Sequence, residues 1–144
     1  MTPLRQPLAI RKATSLWSTF FDYNCPPCRN AALNIQQAIK DDWSLKLVFK
    51  EFPILGPASK FAAVAALASH KQGKYEAFHR ALMGFHGLVN ERSTLTIAAH
   101  VGLDVEQLKR DMKDPASQTP LRAMARSPAI CTSPARRRWW SAMK

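Results

Sequence analysis

Two cysteines separated by two prolines, Cys25-Pro26-Pro27-Cys28, fall where a strand-like run ends and a helix-like run begins. No other feature of the chain constrains its fold as much. Aromatic and β-branched residues cluster over 16–21, which reads as a short β-strand, and Asp22-Tyr23-Asn24 turns the chain. Pro26 suits a first helical turn, where a missing N–H is harmless. Ala31, Ala32, Leu33, Ile35, Ala38 and Ile39 then predict a helix with an apolar face to dock, ending before Asp41-Asp42. The alternating run over 45–52, stopped by Pro53, predicts a second strand. The opening order is therefore strand, helix, strand.

From Ser59 the apolar spacing becomes helical. Phe61, Val64, Ala65 and Ala68 share one face, and Tyr75, Phe78 and Leu82 follow after Gly73, predicting two helices. A third covers 91–100 and stops at Gly102. A fourth starts at Asp104, whose carboxylate with Gln107 has the form of a capping box, and ends at Asp114-Pro115. A short helix over 121–126 precedes the helix-breaking Ser127-Pro128 and Ser133-Pro134. A length of 144 residues fits one domain with a core of its own. The longest apolar stretches fall far short of a membrane span, so stable membrane insertion is not expected. Residues 1–10 are interrupted by proline and lack the apolar run of a secretory signal.

The net charge of +11 points toward an acidic partner only if it is spread over the folded body. It is not. Nine bases and no acids lie in residues 1–19 and 121–144, whereas residues 20–120 hold 12 bases and 10 acids. The Arg136-Arg137-Arg138 run with Trp139 and Trp140 mixes bases and aromatics as a nucleic-acid contact does, but no nucleic-acid-binding fold surrounds it, and no nucleic-acid partner is expected.

The chemistry centres on the cysteine pair. A helix's first turn presents unpaired N–H groups and the positive end of its dipole, both of which favour the thiolate, the reactive form of cysteine. Two intervening residues bring Cys28 round one turn, within reach of a disulfide with Cys25. The competing reading is half of a structural zinc site, which needs a second Cys or His pair at matching spacing. None is apparent: Cys131 stands alone, and His70, His79, His86 and His100 are spread through the helical region as surface or half-buried residues. The strand–helix context favours redox chemistry, with no metal.

The segments Phe20-Phe-Asp-Tyr-Asn-Cys-Pro-Pro-Cys-Arg29, Phe49-Lys-Glu-Phe-Pro-Ile-Leu-Gly56, Gln72-Gly-Lys-Tyr75 with Phe78-His79 and Ala81-Leu-Met83, and Val101-Gly-Leu-Asp104 resemble the DsbA-like thiol oxidoreductases of the thioredoxin superfamily. They occur in that family's order over about residues 16–134. The resemblance implies an α/β thioredoxin-like fold with an inserted helical domain, a periplasmic setting, and dithiol–disulfide exchange with cysteine-bearing protein substrates. Cys25 would be the exposed nucleophile and Cys28 the buried resolving thiol, their disulfide being the redox-active group, with no separate cofactor. A redox partner would recharge the pair. Pro26 and Pro27, lacking N–H groups, withhold donors from the Cys25 sulfur. The family's cis-proline loop maps on Ile130-Cys-Thr-Ser-Pro134, making Pro134 the candidate cis-proline, although a simple Ser-Pro turn is the alternative.

The same comparison organises the chain as a basic N-terminal segment over 1–15, a first thioredoxin-like part over 16–57, a helical insertion over 58–114, a return over 115–134 and a basic tail over 135–144. Two further strands and a closing helix, which the family places after the cis-proline, do not fit in ten residues. Back-translating residues 9–18 in a shifted frame permits Asn-Pro-Glu-Gly-Asp-Val-Thr-Leu-Val, and residues 139–141 permit Val-Val-Gly, both family-like. This reading expects a chain disrupted in frame at both ends and cytoplasmic if made as written. It also raises a rival function, a destabilised, non-catalytic remnant of such an enzyme.

Smaller features have two readings each. Lys50 and Glu51 end the second strand near the expected dithiol, where Glu51 can relay the Cys28 proton or simply be a solvated strand-end charge. Phe20, Phe21, Tyr23 and Phe52 can line a peptide groove or fill the core.

Overall fold

The computed structural model describes residues 15–42 and 45–125. Pro134, Cys131, the 1–14 segment and the Arg-Trp tail lie outside the described residues. Strand β1 (Ser15–Phe21), helix α1 (Pro26–Asp41) and strand β2 (Leu45–Glu51) occur in the expected order. The strands pair in parallel, from Ser15 opposite Leu45 to Phe21 opposite Glu51, as a pair joined by a crossover helix does. These two strands are the whole sheet among the described residues.

Helix α1 departs from expectation in one respect. Its apolar positions were expected to dock, yet the helix has no buried residue, and Leu33 is 67% exposed. Ala32 is the member of that set that packs half-buried on the core. Among the described residues only two strands are present, and they offer one helix little to lie against.

The remaining elements are helical: α2 (Pro57–Ala68), a 3-10 turn (Ser69–Gln72), α3 (Tyr75–Met83), α4 (Glu91–His100), α5 (Val105–Met112) and α6 (Pro115–Ala125). Helix α2 follows Gly56, whose φ of 109° an L side chain rarely adopts, and Pro57 opens its first turn. Asn90 and Ser93 form a full capping box for α4, and Asp104 caps α5 by accepting from the Gln107 amide. The last helix was expected from 121 but begins at Pro115. Asp114 takes the Ala116 amide on its carboxylate and the Ser117 amide on its carbonyl, so the Asp-Pro pair read as a stop is a start.

These helices close a core of their own. Small residues Ala62, Ala65, Ala66 and Ala68 let α2 run through its middle, surrounded by Phe78, Leu82, Val89, Ile97, Ala98, Leu103, Leu108 and Met112. The end of β1 joins it through Phe21 and Tyr23. Thus the strand ends that carry the cysteine motif meet the helical cluster at a seam.

Candidate active site

The turn after β1 is built by Asp22, which is 3% exposed and whose carboxylate is filled by four donors. Its Oδ1 accepts from the Asn24 amide at 2.8 Å and the Ser59 hydroxyl at 2.7 Å, and its Oδ2 from the Ile54 and Leu55 amides at 2.9 and 3.0 Å. One side chain thereby ties the turn, the segment after β2 and the first turn of α2 together. Its carbonyl accepts the Cys25 amide at 3.2 Å. The Asn24 carboxamide does the same for a third segment, donating to the Val89 carbonyl at 2.9 Å and accepting from the Val89 amide at 2.7 Å.

Cys25 is the N-cap of α1, and the first helical bond runs from the Arg29 amide to its carbonyl at 3.1 Å. Pro26 and Pro27 occupy the first helical positions and are exposed. The Arg29 Nε donates to the Tyr23 carbonyl at 2.7 Å, fastening that first turn back to the chain before the motif. Both cysteines are free thiols, but their exposures reverse the expectation: Cys25 is 5% exposed and Cys28 half-buried. Cys25 ends a turn hemmed by the segments that Asp22 and Asn24 hold, whereas Cys28 lies one turn along a surface helix. The Cys28 thiol is pushed up to about 12, first by burial and then by its hydrogen bond to Cys25, against a lowering by the Asp22 backbone. Cys28 is therefore held as the thiol.

Glu51 is not a solvated strand-end charge. It is 3% exposed, and its Oε1 accepts from the Tyr23 hydroxyl at 2.8 Å and the Tyr75 hydroxyl at 2.9 Å. Its Oε2 is buried with no hydrogen-bond partner. Burial pushes the carboxyl up to about 8, opposed by the two tyrosine hydrogen bonds and reinforced by Asp22. The Tyr23 hydroxyl also lies 3.1 Å from His79 Nδ1. Because that hydroxyl gives its one proton to Glu51, the network assigns the His79 proton to Nδ1. His79 was read as a surface or half-buried residue; it is 4% exposed, packed on Phe21 and Phe49 with ring centroids 4.6 and 4.4 Å away. Burial and then Arg80 lower it to about 4, so it stays neutral.

The four aromatic candidates divide. Phe21 and Tyr23 are core, whereas Phe20 is 44% exposed and meets a half-buried Phe52 edge to face at 6.2 Å. Sequence reasoning missed Asn24, Ser59, Tyr75 and His79 as parts of the site. Tyr75 and His79 carried a signal, being polar residues four apart on the same apolar face as Phe78 and Leu82. Among the described residues no group of three His, Cys, Asp or Glu side chains is placed to hold a metal ion.

The chain matches the family model of the DSBA-like thioredoxin domain over residues 18–127. It is similar to the crystal structure of a thioredoxin-like oxidoreductase from Silicibacter pomeroyi DSS-3, with 52% identity and a TM-score of 0.74, covering 76% of this chain and 64% of that one. It is also similar to the thiol-disulfide exchange protein alpha-DsbA2 from Wolbachia pipientis, with 33% identity and a TM-score of 0.68, covering 75% and 59% respectively. The Na(+)/H(+) antiporter NhaA 1 of Salinispora arenicola (strain CNS-205) is 25% identical over 95 residues, which are 65% of this chain and 15% of the antiporter. No helix among the described residues is long and apolar enough to cross a membrane. The chain spans less than two thirds of each of these three proteins. Because the family match runs from within β1 past the end of α6 and takes in both cysteines of the motif, the chain belongs to the family of DSBA-like thioredoxin domains.

Proposed function

We propose that the chain exchanges a Cys25–Cys28 disulfide with cysteine-bearing protein substrates. The observation that carries this reading is the placement of Cys25 at the N-cap of α1 with Cys28 one turn on, both as free cysteines. In the oxidised chain, a substrate thiolate attacks the Cys25 sulfur. The Cys25–Cys28 bond breaks as the substrate–Cys25 bond forms, and the sulfur of Cys28 leaves with the electron pair and takes up a proton. A second substrate thiolate attacks the substrate sulfur of the mixed disulfide, the Cys25 sulfur leaves, and the substrate is oxidised by two electrons while the chain is reduced by two. Run backwards, the same steps reduce or isomerise a substrate. The direction follows the reduction potentials of the pair and of the redox partner that recharges it.

Glu51 supports the exchange as a proton store. Asp22 is the group common to it and to the dithiol: its charge raises the Glu51 carboxyl, whereas at Cys28 the lowering by its backbone is larger than the raising by its charge. Pro134 stands as the cis-proline of this reading, outside the described residues. Such an exchange needs an oxidising compartment to run toward disulfide formation, and the periplasm is the setting we assign.

Equilibration of the chain in glutathione buffers of increasing oxidised fraction, followed by acid quenching, alkylation and peptide mass spectrometry, tests the assignment. The expected result is one two-electron transition that joins Cys25 to Cys28. Cys28→Ser should trap glutathione on Cys25, and iodoacetamide at mildly acidic pH should label Cys25 before Cys28. If no Cys25–Cys28 disulfide forms at any ratio, the chain is not a dithiol exchanger.

A further inference from the structure

Leu88 is an apolar side chain, 64% exposed, on a backbone pinned from both sides. Its carbonyl accepts from the Ser93 hydroxyl at 3.1 Å, and the next residue, Val89, is fully buried with its amide and carbonyl both paired to the Asn24 carboxamide. A single exposed leucine is ordinary on a protein surface. This one is tied, through Val89, to the residue that precedes the redox cysteine, 65 positions away in the chain.

The geometry relates the two sites closely. Adjacent Cα atoms are about 3.8 Å apart, so the route from Cys25 through the Asn24 side chain to the Val89 amide leaves the Cα atoms of Cys25 and Leu88 no more than about 13 Å apart. An extended polypeptide advances roughly 3.4 Å per residue. A substrate joined to Cys25 through its cysteine therefore has residues within about three or four positions that can reach Leu88.

Asparagine suits the task. Its planar carboxamide offers one acceptor and two donors, which pair with both main-chain groups of Val89 as a neighbouring strand would. The remaining donor capacity goes to the Ser59 hydroxyl at 2.9 Å, which in turn donates to Asp22. Aspartate at 24 keeps the acceptor and loses the donors.

We propose that Leu88 contacts the polypeptide joined to Cys25, selecting an apolar residue near the substrate cysteine, and that Asn24 is the positioning residue that sets this contact. This rests on the dithiol-exchange reading above. The occupant is an extended cysteine peptide, argued from the continuity of Leu88, Val89 and Asn24 with the redox cysteine.

The test uses the oxidised full chain and three thiols: glutathione, a peptide with leucine three residues from its cysteine, and the same peptide with serine there. The readout is the ratio of each peptide's rate constant to that of glutathione. For the leucine peptide, Leu88→Ser should lower the ratio roughly fivefold to tenfold, the scale of one lost apolar contact, and Leu88→Met should keep it. For the serine peptide the ratio should not move with either change. Asn24→Ala should lower the leucine-peptide ratio as Leu88→Ser does, and the double variant should fall no further, because a contact already misplaced cannot be lost twice. A merely structural role lowers peptide and glutathione rates together and leaves the ratio unchanged. An unchanged ratio in Leu88→Ser, or effects that multiply in the double variant, would overturn the proposal. Leu88→Ser decides the contact by itself if Asn24→Ala folds poorly, since its side chain is exposed. Failure of glutathione and both peptides to reduce the chain would instead sink the dithiol reading, and this proposal with it.

Discussion

The strand–helix–strand part and the helical part of this thioredoxin-like fold solve burial in different ways. The helical part buries a row of alanines under Phe78, Leu82 and Leu108, all at 0% exposure, with polar side chains such as Ser59, Thr94 and Asp111 buried among them. The strand–helix–strand part has one helix with no buried residue, and its lowest exposures belong to Phe21, Tyr23, Cys25, Asp22 and Glu51 at the seam. One part is held by apolar packing and the other is fastened to it by hydrogen bonds from Asp22, Asn24 and the tyrosines. The cysteine pair sits on the fastened part, with Cys25 enclosed and Cys28 half-buried.

The sharpest way to break this comparison is to remove apolar volume on each side of it. Phe78→Ala in the helical part is expected to cost about 3–5 kcal/mol, whereas Leu33→Ala, at a side chain 67% exposed, should stay within about 0.5 kcal/mol. Urea denaturation of both variants measures the difference. A Leu33 loss of several kcal/mol would mean that α1 is covered after all.

The second test cuts the fastening. Asp22→Ala removes the acceptor of the buried Ser59 hydroxyl and of the part-buried Asn24, Ile54 and Leu55 amides; a buried donor left without its acceptor costs about 1–3 kcal/mol, and a lost hydrogen bond elsewhere about 0.5–1.5 kcal/mol. The expected loss is on the order of 3 kcal/mol. Hydrogen exchange should also quicken at the Ile54 and Leu55 amides more than in α5. Equal quickening everywhere would show that the two parts unfold as one and that Asp22 is no clamp.

The third test concerns pH. The folded Glu51 holds its proton to about 8, whereas the unfolded carboxyl releases it near 4.5. The folded state binds more protons over that window, so this group's contribution to stability falls as pH rises from 4.5 to 8 and is flat above. Glu51→Gln keeps an acceptor for both tyrosine hydroxyls and cannot ionise. Relative to the parent chain, the variant should gain stability steadily between pH 5 and 8, by on the order of a few kcal/mol. His79 acts oppositely: lowered to about 4, it loses stability as pH falls from 6.5, and the substitution should leave that limb in place. A stability difference between variant and parent that does not change with pH would place Glu51 in water.

What the sequence by itself determined was local. The cysteine pair at a strand–helix junction, the order of β1, α1 and β2, the start of α4 at Glu91 and the Asp104 cap of α5 each depend on neighbours within a few positions, so spacing and capping chemistry revealed them. The family resemblance rested on the same short segments. Only the tertiary structure decided the rest. Glu51 is buried because Tyr23 and Tyr75 close over it from 28 and 24 residues away, and His79 meets Tyr23 across 56. Cys25, in the turn that Asp22 and Asn24 fasten to distant segments, is more enclosed than Cys28, and among the described residues α1 has only two strands to pack against. A strand-end glutamate or a helical histidine reads as solvated from its own neighbours. Which distant side chain takes that water's place is settled when the elements pack.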